Sequence, residues 1–237
     1  MNETEQRPSA PTPTGPPPGA DQVFGSRLDL AVRFHGLLAQ RGVELGLIGP
    51  REVERLWDRH LMNSAVIGDL FPQNARVVDV GSGAGLPGIP LAIARPDLRL
   101  TLLEPMARRV GWLEDVADEL GLSSVTVVRG RAEEKVVRQN LGGADAVTAR
   151  AVAPLAKLAG WCLPLLRTGG QLVALKGASA AEEVERDAVA VKAAGGGVAE
   201  VVARGGEVLE VPTTVVLVQR VEVERGRDAR RRRRKER

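Results

Sequence analysis

Short apolar runs alternate with amphipathic segments along most of the chain. Between most of the runs, apolar residues repeat at helical spacing, as at Val110, Leu113 and Val116 within residues 107–120. Strands that alternate with helices predict a mainly parallel sheet covered on both faces. The seven runs predicted as strands lie at residues 77–80, 100–103, 125–128, 144–148, 172–175, 198–202 and 215–223.

The last two runs are linked without a helix. Because Gly205, Gly206 and Pro212 lie between them, residues 198–202 and 215–223 are predicted to pair as an antiparallel hairpin. The whole pattern is an α/β, Rossmann-like arrangement with a seven-stranded, mainly parallel sheet and an antiparallel last strand. This layout is typical of class I methyltransferases.

The N-terminal region has a different pattern. Residues 1–20 hold six of the fifteen prolines and few apolar residues, which predicts a disordered leader. Apolar residues recur at helical spacing over residues 27–40, and a second helical stretch follows Pro50, since proline suits the first turn of a helix. We therefore expect N-terminal helices within residues 27–71 to cap the sheet, in a single domain that spans residues 21–224.

A glycine-rich turn follows the first strand directly. Gly81, Gly83 and Gly85 let this turn pass close to a ligand, where a Cβ atom would collide with it. Glu104 ends the next strand, 23 residues after Gly81, and a carboxylate at that point can accept hydrogen bonds from ribose hydroxyls. The unit therefore predicts a nucleoside-binding site.

The glycines alone do not identify the nucleoside, because residues 83–88 also fit the dinucleotide pattern GxGxxG. The tight turn begins at Gly81 and not at Gly83, and Asp79 places a carboxylate just before it. Such a carboxylate would repel a pyrophosphate but can hold the ammonium group of an amino acid. S-adenosylmethionine is therefore the favoured cofactor, and an NAD-dependent Rossmann reductase is the alternative.

Two basic residues follow later strands at the carboxyl edge of the sheet, where ligands of open α/β sheets bind. Arg150 follows the fourth strand and Lys176 the fifth. Each can face a cofactor carboxylate or an RNA phosphate, or can form a surface ion pair, and the sequence leaves these alternatives open. Arg59 follows Arg51 and Arg55 at four-residue spacing, which fits a phosphate-facing stripe or a solvated helix face.

Few side chains suit metal binding or covalent catalysis. Cys162 is the single cysteine, and His35 and His60 are too few to complete a zinc site with it. Cys162 lies in an apolar helical stretch and is predicted to be a buried, inert thiol, and His60 is predicted to be a hydrogen-bonded structural residue. Trp57 is expected to anchor the core. We therefore expect no metal site.

Several of these segments resemble the ribosomal RNA small subunit methyltransferase G family, also called glucose-inhibited division protein B. The continuation of the glycine loop as Leu-Pro-Gly-Ile-Pro is more specific than its glycines. The resemblance extends over about residues 27–220. The similar segments lie at residues 59–64, 78–91, 102–105, 108–110, 148–151 and 175–177.

The resemblance implies methyl transfer from S-adenosylmethionine to N7 of one guanine in bacterial 16S ribosomal RNA, as naked RNA or within the small ribosomal subunit. A monomer is expected. Guanine N7 carries a free lone pair, so this reaction needs alignment and desolvation but no general base. No catalytic residue is therefore assigned, and Arg150 is the candidate for positioning the reactants. A methyltransferase fold that binds RNA without turnover is a second alternative.

The predicted site residues combine the positions that match the family with those indicated by the loop. Ala132 and Glu133 enter by family position, since they follow the third strand, where such folds hold adenine. RNA is expected to contact Arg59, Lys176 and the C-terminal tail. The cofactor-binding residues predicted in this way are Asp79, Gly81, Gly83, Gly85, Leu86, Glu104, Ala132, Glu133 and Arg150.

Positive charge is concentrated at the C-terminus. Residues 225–237 hold nine basic and two acidic residues, a net +7, whereas the residues before them hold 24 basic and 28 acidic residues, a net −4. This segment, which includes Arg231, Arg232 and Arg233, is predicted to be a disordered tail that contacts RNA phosphates. A tail that serves only solubility is the alternative.

Signals for membranes and secretion are not found in the sequence. No apolar run approaches the roughly 18 to 20 residues that a membrane-spanning helix needs. The N-terminus also lacks the basic-then-apolar order of a secretory signal. We therefore expect a cytoplasmic location.

Removal of residues 225–237 is expected to weaken binding to ribosomal RNA and to flatten its salt dependence. Each phosphate contact releases counterions and contributes about −0.7 to −0.9 to the slope of log K against log salt concentration, the lower magnitude applying to single strands. Filter binding of full-length and truncated protein over a series of salt concentrations measures both quantities. Equal affinities and equal slopes would contradict a role of the tail in RNA binding.

Overall fold

Residues 15–222 are described by a computed structural model of the chain. Most of the predicted leader and the whole predicted tail, including Arg231, Arg232 and Arg233, lie outside the described residues. Helical structure begins at Ala20, one residue before the predicted start of the domain, and the side chain of Ala20 is buried.

Seven strands form one sheet in the order β3-β2-β1-β4-β5-β7-β6. Strands β1 to β5 pair in parallel, and β7 lies antiparallel between β5 and β6, which confirms the predicted fold class and hairpin. Each predicted run lies within a strand, except that β7 ends before residue 223. The strands are β1 (Arg76–Val80), β2 (Arg99–Glu104), β3 (Val125–Arg129), β4 (Ala144–Arg150), β5 (Leu166–Lys176), β6 (Gly196–Arg204) and β7 (Thr213–Arg220).

Side chains of the central strands alternate between two apolar layers, because successive residues of a strand point to opposite faces. On β5, Val173 and Leu175 join the layer that contains the N-terminal helices, whereas Leu172 and Ala174 join the opposite layer. Helices therefore cover both faces of the sheet, as predicted. They are α1 (Ala20–Phe24), α2 (Leu28–Arg41), α3 (Asn63–Ala65), α4 (Gly88–Ala94), α5 (Ala107–Glu119), α6 (Lys135–Leu141), α7 (Leu155–Cys162) and α8 (Ala180–Ala193).

The helical stretch after Pro50 is irregular. It runs as a 3-10 helix (Pro50–Arg55), a π-helix (Leu56–Met62), α3 and a second 3-10 helix (Val66–Leu70). The wide turn of the π-helix buries Leu56, Trp57, Leu61 and Met62 together. Wide turns of this kind occur frequently at functional sites.

The predictions for single core residues agree with the packing. Trp57 is buried, stacked on His35 at 5.0 Å between ring centroids and edge-on to Phe24 at 6.5 Å. Cys162 is fully buried at the end of α7, and burial raises the pKa of its thiol. Across residues 15–222, none of the helices has the length and apolar character needed to cross a lipid bilayer.

Arg95 links the end of α4 to the end of the irregular helical stretch. From the end of α4 its guanidinium donates hydrogen bonds to the backbone oxygens of Gly68, Phe71 and Pro72. Asp97 holds the other side of the guanidinium, with Nε and Oδ1 2.7 Å apart. The irregular helical stretch therefore ends in a fixed position beside α4.

Two glycines test the packing between layers. A Cβ at Gly196, the first residue of β6, would lie 2.6 Å from Cγ1 of Val191 and 2.8 Å from Cγ1 of Val218, whereas a Cβ at Gly111 within α5 would meet no packing partner within 4 Å. We expect Gly196→Ala to lower the free energy of unfolding by about 1–3 kcal/mol through overpacking. We expect Gly111→Ala to raise it by about 0.5–1 kcal/mol, because alanine favours the helix.

Urea unfolding followed by circular dichroism measures both changes. Gly111→Ala serves as the matched control, since it makes the same substitution without the close contacts. A Gly196→Ala protein as stable as the wild type would contradict the packing of β6 on α8.

Candidate active site

A cavity of about 550 Å³ opens at the carboxyl edge of the sheet. β1 pairs with β2 on one side and with β4 on the other, so the order of connections reverses at this point. Ligands of open α/β sheets bind at such a reversal, and the volume is within the ~300–1,000 Å³ common for ligand sites. The lining consists of residues 47–49, Glu52, His60, 81–84, Leu86, 104–106, Arg109 and 150–152.

The glycine loop between β1 and α4 is tied to the end of β2. The N–H of Gly81 donates to the backbone oxygen of Leu103 at 2.8 Å, and the N–H of Gly83 donates to Oε2 of Glu104 at 3.0 Å. Gly81 and Gly83 have φ angles of +74° and +55°, in the left-handed region that favours glycine. A Cβ at Gly83 would meet no protein atom closer than 3.7 Å, so the loop leaves room in front of this residue.

Glu104 presents its carboxylate to the cavity from the end of β2. Its Oε2 accepts the N–H of Gly83 and its Oε1 accepts the N–H of Met106, each at 3.0 Å. Each carboxylate oxygen keeps a further lone pair after these bonds. Glu104 therefore has the acceptors that two ribose hydroxyls need.

Asp79 lies behind the loop and is completely buried. Its Oδ2 accepts the N–H of Gly88 at 3.1 Å, but within residues 15–222 its Oδ1 has no hydrogen-bond partner. Burial raises the pKa of Asp79 to about 7, and the negative charge of Glu104 adds to this effect. A buried carboxylate oxygen without a donor is costly, so a cationic group that reached it would be stabilised there.

Arg150 fastens the N-terminal region to the end of β4. Its Nη2 donates to the backbone oxygen of Arg59 at 2.7 Å and to Nδ1 of His60 at 2.8 Å. Its Nη1 donates to the hydroxyl of Ser64 at 3.1 Å and to the backbone oxygen of His60 at 3.3 Å. Burial lowers the pKa of Arg150 to about 10, which leaves the guanidinium charged at neutral pH.

His60 lies between Arg150 and Glu52 and is bonded to both. Because a guanidinium can only donate, Nδ1 of His60 must accept, and the proton of the neutral ring is therefore on Nε2. This Nε2–H donates to Oε2 of Glu52 at 2.7 Å. Burial and the charge of Arg150 lower the pKa of His60, and the hydrogen bond from His60 lowers the pKa of Glu52. His60 is hydrogen-bonded, as the sequence predicts.

Comparison with known proteins gives the family. Residues 27–211 match the rRNA small subunit methyltransferase G (GidB) family. The chain belongs to this family. A ribosomal RNA small subunit methyltransferase G from Corynebacterium efficiens is 54% identical over 217 residues, which cover 92% of this chain and 94% of that protein. One from Rhodococcus jostii is 58% identical over 208 residues, which cover 88% of this chain and 91% of that protein.

A solved structure supports the same fold for this GidB-family protein. Mitomycin 7-O-methyltransferase superposes with a TM-score of 0.57 at 16% sequence identity, over 79% of this chain and 60% of that chain. Membership of a methyltransferase family confirms S-adenosylmethionine as the cofactor and leaves the NAD-dependent reductase without support. The carboxylates of the site fit this cofactor. Glu104 offers acceptor oxygens to ribose hydroxyls, and Asp79 has an unpaired oxygen that suits an ammonium group.

The predicted cofactor residues of the GidB-family protein fall into two groups. Those that line the cavity are Gly81, Gly83, Leu86, Glu104 and Arg150. Those outside the lining are Asp79, Gly85, Ala132 and Glu133. The position of Gly85 is fixed by packing, because a Cβ there would lie 2.7 Å from Cγ1 of Ile89. Ala132 is buried and Glu133 is exposed, in the segment that follows β3, the neighbour of β2 at the edge of the sheet.

The two described residues predicted to contact RNA differ in their surroundings. Arg59 has a side chain that is 52% exposed, with Nη1 3.8 Å from Oε1 of Glu52. Lys176 is only 9% exposed, and its Nζ donates to Oε2 of Glu183 at 2.7 Å and to the backbone oxygen of Ala153 at 2.9 Å. The geometry favours Arg59 as a phosphate contact and gives Lys176 a structural ion pair.

Several lining residues were not singled out from the sequence. Arg109 lies on the first turn of α5 close behind Glu104, so its position relative to the strand end was a usable signal. Leu47, Ile48 and Gly49 lie in a loop without periodicity, and no signal pointed to them. Glu52 lies between Arg51 and Arg55 on the stretch whose charges fit a solvated helix face as well as a phosphate-facing stripe, so its sequence position did not indicate a site.

The raised pKa of Asp79 can be tested through the pH dependence of the free energy of unfolding. The folded chain holds this proton more tightly than the unfolded chain, where the carboxyl has its ordinary pKa of 3.8. The contribution to stability is therefore fully present below about pH 4 and is lost as the pH rises through about 7. Asp79→Asn should remove this fall in the free energy of unfolding. The fall is on the order of a few kcal/mol, at ~1.4 kcal/mol for each unit of pKa difference.

Urea unfolding of the cofactor-free protein at about pH 5 and about pH 8 measures the effect, in the range where the two protonation states differ. The stability of Asp79→Asn relative to the wild type should be higher at the higher pH. A difference between the two proteins that is the same at both pH values would contradict the raised pKa.

Proposed function

We propose that this chain methylates N7 of a guanine in bacterial 16S ribosomal RNA, with S-adenosylmethionine as the methyl donor. One observation carries the proposal: a GidB-family chain presents the glycine loop and the carboxylate of Glu104 to a cavity at the reversal point of the sheet. We further propose that it acts as a monomer in the cytoplasm, on RNA or the small subunit.

The sheet side of the cavity supplies the cofactor contacts in this proposal. The carboxylate of Glu104 binds the ribose hydroxyls, and Gly83 leaves room for the ligand in front of the loop. Asp79 is buried behind the loop and outside the cavity lining, so its unpaired Oδ1 is assigned to the ammonium group on charge and not on exposure to the cavity. The cofactor, when bound, supplies a methyl group on a positively charged sulfur.

The proposed reaction needs no general base from the protein. The bond from sulfur to the methyl carbon breaks as the bond from N7 to that carbon forms, and the positive charge passes from sulfur to the guanine ring. His60 cannot act as a base, because Arg150 already occupies the lone pair of Nδ1. Leu47, Ile48 and Val152 line the cavity and exclude water from the reacting atoms.

RNA contacts are assigned to exposed arginines near the cavity mouth. Arg51, Arg55 and Arg59 are exposed on the helical stretch whose Glu52 and His60 line the cavity. Arginine pairs well with phosphate oxygens, so these side chains suit the backbone of the RNA around the target base. Among residues 15–222 no group of three or more His, Cys, Asp or Glu side chains is placed to hold a metal ion.

The first experiment measures transfer of labelled methyl groups from S-adenosylmethionine into small ribosomal subunits that lack this modification. Digestion and mass spectrometry identify the labelled nucleoside, which should be 7-methylguanosine. Glu104→Gln should weaken S-adenosylmethionine binding by about tenfold or more, because a hydrogen bond to a charged group contributes ~1.5–3 kcal/mol.

Two results would contradict the proposal. Label in a different nucleoside would show that the methyl group is accepted by an atom other than N7 of guanine. Binding of S-adenosylmethionine without any label in the RNA would favour the alternative of an RNA-binding protein without turnover. The wild-type protein heated to unfolding serves as the negative control for label trapped without reaction.

A further inference from the structure

We infer that Glu52 determines specificity for guanine, with its carboxylate accepting hydrogen bonds from the N1–H and the 2-amino group of the base that is methylated. The inference rests on the proposed function. It concerns the wall of the cavity that the predicted cofactor-binding residues leave to the substrate.

The cavity has two walls of different origin. The glycine loop and Glu104 form the wall on the sheet side, whereas residues 47–49, Glu52 and His60 come from the N-terminal region. Because the sheet side is used by the cofactor in the proposed reaction, the acceptor base must enter against the N-terminal wall. The groups on that wall therefore meet the base.

Most polar groups beside the N-terminal wall already have partners. Both Nη atoms of Arg150 donate to acceptors of residues 59–64. Both ring nitrogens of His60 are bonded, one to Arg150 and one to Glu52. The printed bonds therefore occupy both ring nitrogens of His60 and direct the Nη atoms of Arg150 to residues 59–64 and away from an incoming base.

Glu52 differs because one of its carboxylate oxygens is open. Its Oε2 accepts from His60, but in the part of the chain from residue 15 to residue 222 its Oε1 has no hydrogen bond. Nη1 of Arg59 lies 3.8 Å from this oxygen, and the Glu52 side chain is 32% exposed. The lowered pKa keeps the carboxylate ionised at neutral pH.

An open carboxylate matches guanine better than the other bases. The Watson–Crick edge of guanine has two adjacent donors, N1–H and the 2-amino group, and Oε2 of Glu52 keeps a second lone pair beside its bond to His60. Adenine places the lone pair of N1 next to its amino group, and that lone pair would face the negative charge. Enzymes that act on a single base commonly read this edge.

The same contact orients the reactive atom. N7 lies on the edge of guanine away from N1 and the 2-amino group. A guanine held by Glu52 therefore turns N7 away from the N-terminal wall and toward the glycine loop and Glu104. The bonds from Arg150 to His60 and from His60 to Glu52 hold the carboxylate in place for this purpose.

A cycle of substitutions in the protein and in the RNA tests the contact. Inosine keeps N7, O6 and N1–H of guanosine but lacks the 2-amino group. Small subunits reconstituted with guanosine or inosine at the methylated position are the two substrates, and kcat/KM of the full-length protein is measured on each. Inosine should cost the wild type about tenfold or more, because it removes a hydrogen bond to a charged group.

The Glu52 variants should respond less to inosine. The loss of kcat/KM caused by inosine should fall to about twofold or less in Glu52→Ala, because this variant has no contact to lose. In Glu52→Gln the loss should be intermediate, since the effects of coupled groups are not additive. If Glu52→Ala does not fold, Glu52→Gln carries the comparison. Glu54→Gln is the matched control, because it makes the same change in charge at an exposed residue outside the lining and should behave as the wild type.

The outcomes separate this inference from the proposed function. An equal cost of inosine in the wild type and in both Glu52 variants overturns the inference, and it would mean that Glu52 only holds His60. S-adenosylmethionine affinities should stay near the wild-type value in each variant, and melting temperatures identify the variants that are folded. Absence of 7-methylguanosine from wild-type protein on guanosine-containing subunits would overturn the proposed function itself.

Discussion

The partly buried guanidinium of Arg150 is the group on which the N-terminal wall of the cavity depends. It joins the end of β4 to the backbone and side chains of residues 59–64, which are distant in the sequence. Hydrogen bonds to a charged group contribute ~1.5–3 kcal/mol each, and their loss would leave buried acceptors unpaired. The same guanidinium fixes the proton of His60 on Nε2 and so determines how Glu52 is held.

The charges around the cavity suit a reaction in which a positive charge passes from the cofactor to the base. Glu104 lines the cavity on the sheet side and Glu52 lines it on the N-terminal side, with Arg109 as a positive charge beside Glu104. In the proposed reaction a positive charge begins on sulfur and ends on guanine, so Glu104 and Glu52 place a negative charge on each side of the reacting groups. Arg150 is close by, but its hydrogen bonds direct it to the N-terminal region. Electrostatic preorganisation of this kind needs no proton transfer.

The sequence was sufficient for the sheet and the sheet side of the cavity. Strand patterns and the glycine turn are local signals, so β1 to β7, Gly81, Gly83 and Glu104 were all found. The N-terminal wall was harder, because a 3-10 helix followed by a π-helix does not keep the 3.6-residue period that makes an amphipathic face readable. The partners of Arg150 lie about ninety residues away, and no local pattern records such a contact.

The antiparallel direction of β7 carries the chain away from the cavity. Thr214 pairs with Lys176 at the carboxyl edge of the sheet, and Gln219 pairs with Gln171 toward the opposite edge. The chain therefore leaves the last strand on the side away from the cavity. An RNA bound both at the cavity and along the chain after β7 would therefore contact the protein at two opposite edges of the sheet.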